Sequence, residues 1–179
     1  MIAATTGRRI ERGFSLLEIL IALVVLAFGM LSLARGVGRA TQTEFEASQR
    51  AQAIAIAQEM TDRINSNRKE AARYVGDYVP GTTAEDCAGG ADQVARDKCE
   101  WTNRLLGTDT LDDEKTIGAP LAARGCITQP APNVYLVAVA WQGVIPTAAA
   151  DSPCGEGQFD REENRRVFST VLQIAQLGA

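Results

Sequence analysis

The stretch GFSLLEILIALVVLAFGMLSLA, residues 13–34, decides how the rest of this chain is read. From Phe14 to Ala34 it is apolar over 21 residues, and Glu18 is its one charge. At about 1.5 Å of rise per residue, a helix of that length crosses roughly 30 Å of hydrocarbon. A carboxylate early in such a span costs on the order of 2.5–3.5 kcal/mol on insertion scales, so it marks a functional position. The rival reading is a plain signal-anchor helix with a stray Glu. Arg8, Arg9 and Arg12 precede the run. Positive charges there hold that end cytoplasmic and leave the C-terminal bulk outside.

In an ordinary secretory signal the small-residue cleavage site follows the apolar segment. Here the small residue, Gly13, comes before it. Cleavage after Gly13 would keep the whole apolar segment on the mature chain, with Phe14 as its N-terminus. Gly, an aromatic residue, Ser, two aliphatics and Glu run without a gap from Gly13 to Glu18. This pattern resembles the class III signal of type IV prepilins. The resemblance implies cleavage between Gly13 and Phe14 by a prepilin peptidase and methylation of the Phe14 amine. It also implies an assembly role for Glu18, which would pair with the N-terminal amine of a neighbouring subunit.

Four segments follow from this reading: a leader at 1–13, the transmembrane half of a long helix at 14–34, its amphipathic half at 35–67, and a globular periplasmic domain with a β-sheet at 68–179. That domain is long enough for one core. The net charge of the 179 residues is −4, and losing the leader's three Arg and one Glu takes it near −6. No nucleic acid is expected as a partner, because such surfaces need a basic balance. The chain has no His, which excludes Ser-His-Asp and Cys-His catalysis and His-based metal sites. Phosphate-binding glycine motifs are missing too. The expectation is a protein that is not an enzyme, with no catalytic residue, no metal and no cofactor.

Cys87, Cys99, Cys126 and Cys154 all fall on the outward side. An even count in an exported domain reads as two disulfides, with three connectivities open. A Cys₄ zinc site is the rival, weakened by the want of any Cys-x-x-Cys pair.

No Pro occurs before Pro80, so Phe14 to about Asn67 reads as one helix, about 80 Å long. Ala53, Ile56, Ala57, Met60 and Ile64 form an apolar stripe that fits against a globular domain. A second stripe, Phe45, Ser48, Ala51, Ala55, Gln58 and Asp62, is half polar. Glu44, Glu46, Arg50, Glu59 and Arg63 fall on more solvated faces, with Glu59 and Arg63 spaced to pair. Gly29, Gly36 and Gly38 read as close-packing positions in a membrane, with local melting on assembly as the alternative.

The segment AQAIAIAQEMTDRINSN, residues 51–67, narrows the resemblance. It looks like the PilV-type minor pilins, whose helix ends in a Met–Asp–Arg–Ile–Asn-like run, here Met60, Asp62, Arg63, Ile64 and Asn67. The likeness is weaker beyond Asn67. It implies an α+β, type IV pilin-like fold, in which the long N-terminal helix packs on a small antiparallel β-sheet with a disulfide-stapled C-terminal region.

In the globular part, Ala91–Leu106 is predicted to hold a short helix carrying Cys99, Trp101 and Leu105. A Cys87–Cys99 bridge would staple the loop before it. Three strands are predicted: Arg124–Gln129, Val134–Gln142 and Arg166–Gln176. The middle one alternates, with Tyr135, Val137, Val139 and Trp141 on one face. On the last, Phe168, Thr170, Leu172 and Ile174 share a side. A Cys126–Cys154 bridge would close the following loop onto the first strand. Such a Cys pair, Trp141-Gln142-Gly143 and Arg165-Arg166 also recur in PilV-like chains. Arg165 and Arg166 read as a solvated strand start rather than a binding patch. The acidic run Asp109, Asp112, Asp113 and Glu114 reads as a solvated loop, since it lacks the spacing of a calcium loop.

The resemblance implies a minor pilin of the type IV pilus that takes part in pilus assembly or priming. Its implied partners are the prepilin peptidase, other minor pilins, the major pilin, and inner-membrane lipid before assembly. Its implied location is the inner membrane, with the C-terminal domain periplasmic, and then the pilus. Two alternatives are a type II secretion minor pseudopilin, and a pilus-associated adhesion or DNA-uptake module. A surface cluster of aromatic or basic residues in Tyr74–Gly118 would favour the last.

Overall fold

The computed structural model describes residues 15–107, 110–112 and 115–175, with 110–112 and 115–117 described by their backbone alone. The long helix predicted from the absence of Pro is present as α1, Leu16–Ser66. It is unbroken at Gly29, Gly36 and Gly38. The chain divides into two compact units whose boundary falls inside α1, between Thr41 and Gln42.

In the second unit the core forms along one stripe of α1. Gln49, Ala53, Ile56, Ala57, Met60 and Ile64 are buried, while Phe45, Ser48, Ala51, Ala55, Gln58 and Asp62 are exposed. The apolar stripe wins because its branched and long side chains remove far more surface from water than the Ala and Ser of the other. After α1 a 3-10 turn, Arg68–Tyr74, brings the chain back into β1, Gly76–Tyr78.

The second helix, α2, spans Gln93–Leu106. Asp92 caps its start by accepting from the Ala95 N–H at 2.9 Å. Gly107 ends it in the left-handed conformation (φ 88°), which spares a side chain the cost of that geometry. Its buried residues Val94, Asp97, Trp101 and Leu105 fall at helical spacing on one face.

Trp101 joins three elements. It is fully buried, and its indole N–H donates to Ile56 O on α1 at 2.9 Å. Tyr78 of β1 meets it edge to face at 4.9 Å. It stands over Gly125, where a Cβ would lie 2.3 Å from its ring carbons. Gly125 is thus a glycine because the indole occupies the place of a side chain.

A two-stranded hairpin follows α2, formed by β2, Thr110–Asp112, and β3, Lys115–Ile117. This corrects the reading of the acidic run as loop. Asp112 is paired in strand, Asp109, Asp113 and Glu114 lie outside the described residues, and backbone pairing decided what composition could not. The main sheet is antiparallel, in the order β1-β4-β5-β6, with β4 at Arg124–Ala131, β5 at Val134–Gln142 and β6 at Arg165–Gln173. The predicted middle strand matches β5 end to end. β4 runs two residues beyond the predicted Gln129, through an irregularity between Thr128 and Ala131. β6 begins one residue early and stops at Gln173.

One face of the sheet, through Tyr135, Val137, Val139 and Trp141, shares a core with the α1 stripe and Trp101. The opposite face carries a smaller core of Cys126, Ala138, Ala140 and Cys154, with Phe159 and Val167 against it. Disulfides join Cys87 to Cys99 and Cys126 to Cys154. The second holds the 143–164 loop over that smaller core.

Candidate functional site: a carboxylate on an uncovered apolar helix

The helical half that holds Glu18 begins with a local cap. Ser15 Oγ accepts from the Leu17 N–H at 3.3 Å, and Ser15 O from the N–H groups of Glu18 and Ile19 at 3.0 and 3.2 Å. Glu18 lies in the first turn. A negative charge there is favoured by the helix dipole. Ser15-Leu16-Leu17-Glu18 also has the spacing of a capping box, a second local reason for this residue pair that the reading as a membrane signal passed over.

Around Glu18 the side chains are uncovered. Leu16, Leu17, Leu20, Leu23, Val25, Phe28 and Leu33 are all exposed, and Leu16 is 81% exposed. This helix is long and apolar enough to cross a membrane by length and composition. Exposed apolar surface on this scale belongs to a partner or a membrane. Among the described residues, no cation lies within ion-pair distance of Glu18. Gly13 and Phe14, the expected cleavage and methylation positions, lie outside the described residues.

The carboxylates of the second unit contrast with it. Glu46 was expected on a solvated face, yet its Oε1 accepts from the N–H groups of Val144 and Ile145 at 2.6 and 3.0 Å. Its Oε2 lies 3.9 Å from Arg166. Gln49 accepts from the Leu121 N–H at 2.9 Å. Both extend the buried stripe backwards at the same helical spacing, which is the signal that could have found them. Arg63 was also expected to be solvated. It pairs with Glu59 at 2.9 Å, as its spacing suggested, but it also reaches Asp97 at 3.0 Å and Glu100 at 2.5 Å on α2. Asp97 in turn accepts from Tyr74 Oη at 2.5 Å. Burial, joined by that bond, pushes the Tyr74 hydroxyl up to about 12.

Arg165 and Arg166 are a further correction, since neither is solvated and neither forms a binding patch. Arg165 is 3% exposed. It donates to the carbonyls of Ser152 (2.6 Å), Cys154 (3.0 Å) and Ala150 (3.0 Å), and to Glu162 at 2.5 Å. The Arg165 guanidinium, with the Gly157 N–H, holds the Glu162 carboxyl below its ordinary range. Arg166 donates to Ile145 O and to Glu163 O. A planar fork of donors suits a loop whose carbonyls converge, and the same loop is tied to β4 by the Cys126–Cys154 bridge.

The described residues gather no set of three metal-ligating side chains. Tyr74, Tyr78 and Trp101 are buried, so the aromatic residues of that region belong to the core and present no binding surface.

Residues 8–34 match the family described as the prokaryotic N-terminal methylation motif. The match covers the basic leader, Gly13–Glu18 and the apolar run, and it supports a protein of the pilin or pseudopilin type. With that motif, the long helix, the four-stranded antiparallel sheet and the two C-terminal disulfides make a pilin-like α+β fold. No curated protein and no solved structure matches the chain.

Proposed function

We propose that this chain is a minor pilin of the type IV pilus, of the PilV type, and that it takes part in priming pilus assembly. The observation that carries the reading is an uncovered apolar helix, headed by a methylation motif and continuous with a stripe buried under a disulfide-stapled sheet. Before assembly, residues 14–34 lie in the inner membrane and the domain lies in the periplasm. The prepilin peptidase cuts between Gly13 and Phe14, and the new amine is methylated. On assembly the helix exchanges lipid for the helices of other minor pilins and the major pilin. A carboxylate transferred from water to a low-dielectric interior is heavily penalised unless a cation meets it. The Phe14 amine of a neighbour supplies that cation, so Glu18 selects the register in which the helices pack. Such a protein is a structural subunit, not a catalyst.

Intact-mass and N-terminal analysis of the chain, taken from membranes and from sheared surface filaments, tests this reading. A mature chain starting at methylated Phe14 and present in filaments is expected. A chain that keeps Met1, or that is cut beyond Ala34, rejects the proposal. Glu18→Val is expected to insert and be processed normally but to drop out of the filament fraction.

A further inference from the structure

The main sheet ends on one side at the three-residue β1 and on the other at the nine-residue β6. Two hydrogen bonds just past the ends of the β5–β6 ladder fix its phase. The Ile174 N–H donates to Asn133 O at 2.8 Å, and the Gly143 N–H to Asn164 O at 2.7 Å. Both continue the pairing that runs without a shift from Val134↔Gln173 to Gln142↔Arg165. In an antiparallel pair, residues that exchange hydrogen bonds alternate with residues that do not. The even-numbered residues of β6 therefore bond to β5. Val167, Ser169, Val171 and Gln173 turn their N–H and C=O groups to the outer edge, where they have no partner among the described residues.

Folded monomers blunt such an edge with charge, Pro, a bulge or a covering element. From Val167 to Gln173 there is no charged residue and no Pro, and the register with β5 has no bulge. A second observation concerns the side chains. Phe168, Leu172 and Ile174 pack against the main core yet stay only partly covered. On the other face Val171 is 64% exposed. An open edge of this kind is completed by a strand that brings backbone donors and acceptors in alternation, and apolar side chains at every second residue.

We propose that β6 accepts an extended strand from a different pilin-type subunit. This rests on the pilin reading above. A second copy of β6, laid antiparallel about a twofold axis, would close on itself instead of extending a filament, and the sheet's other edge, the three-residue β1, is too short to cover Val167–Gln173. The ladder is specific in register because a slip of one residue would oppose donor to donor and expose the partner's apolar side.

The test places a photo-crosslinking amino acid at Ser169 in the full chain, in cells that carry the complete filament system. The exposed Lys69 serves as control site. The expected adduct forms at Ser169 and not at Lys69. It contains a different chain that bears the same type of N-terminal signal, and the linked peptide has alternating apolar residues. Val171→Pro removes one outward N–H and spares the β5 ladder. It is expected to lower the adduct at least tenfold while both disulfides still form, and Val171→Lys, which keeps every backbone group, is expected to do the same. The proposal is overturned if a chain recovered in filaments gives no adduct at Ser169, an equal one at Lys69, a homodimer, or an adduct that both Val171 variants leave intact. A chain that keeps Met1 and is absent from filaments rejects the pilin reading itself, and the named partner with it.

Discussion

The two halves of α1 share one backbone geometry and have opposite surroundings. From Leu16 to Val37 the large apolar side chains are exposed, whereas from Gln49 to Ile64 one stripe is buried by the chain's own sheet and second helix. Their carboxylates differ in the same way. Glu59 is paired with Arg63, and Glu46 is met by two backbone N–H groups. Glu18 has no such partner among the described residues. The second half is stable because the fold supplies its cover. The first half requires a cover from outside, as lipid or as other helices.

Gly125→Val should break the second half most severely. The added side chain would occupy the place of the Trp101 ring, and overpacking of this kind costs about 3 kcal/mol or more. The expected result in detergent micelles is loss of the near-ultraviolet Trp dichroism and of cooperative unfolding. Met60→Ala removes a fully buried side chain from the stripe, at a cost of about 2–5 kcal/mol. Chemical unfolding of the full chain checks it. A midpoint equal to the parent's would end the claim that this half is held by its own core.

The two disulfides sharpen the comparison within the covered unit. Their sequence separations are 28 for Cys126–Cys154 and 12 for Cys87–Cys99. The chain-entropy relation then gives about 3.6 and about 2.8 kcal/mol. Removing the longer-loop pair by double Ala substitution should cost more. It should also raise hydrogen exchange around Ala150–Cys154, because the carbonyls that Arg165 holds there are released.

Acid should act on the covered unit through Asp92. Its carboxyl is held below the ordinary value of 3.8 by the Ala95 N–H and by Arg73. A depressed folded value means that its stabilising effect is complete above that ordinary value and is lost as pH falls through the folded one. Unfolding midpoints measured down through that window should decline, and Asp92→Asn should flatten this part of the decline. The smallest effect is expected in the uncovered half. Leu26→Ala should change unfolding by no more than about 0.5 kcal/mol, because Leu26 is 55% exposed in the isolated chain. A large loss would mean that this half is covered after all.

How much was legible in the sequence follows from how local each signal is. The α1 stripe, α2 with its Trp101 and Leu105, and the whole of β5 were readable, because their side chains repeat at the period of their own element. β1 was missed because Gly76-Asp77-Tyr78 is too short to show alternation and is held in place by pairing with β4. Glu46 and Arg166 were misjudged because a charged residue looks solvated until its partner is known. The partners of Glu46, Val144 and Ile145, lie 98 and 99 residues away.

The sequence by itself determined the methylation motif, the apolar span with its one carboxylate, the long helix and the even set of cysteines. Each is a contiguous pattern or a simple count, and chain connectivity preserves both. Only the tertiary structure decided which cysteines joined, that Arg165 and Glu46 serve as internal clamps, and which residues of β6 face an open edge. Those depend on pairing between distant segments, where geometry fixes the partner and residue type alone does not.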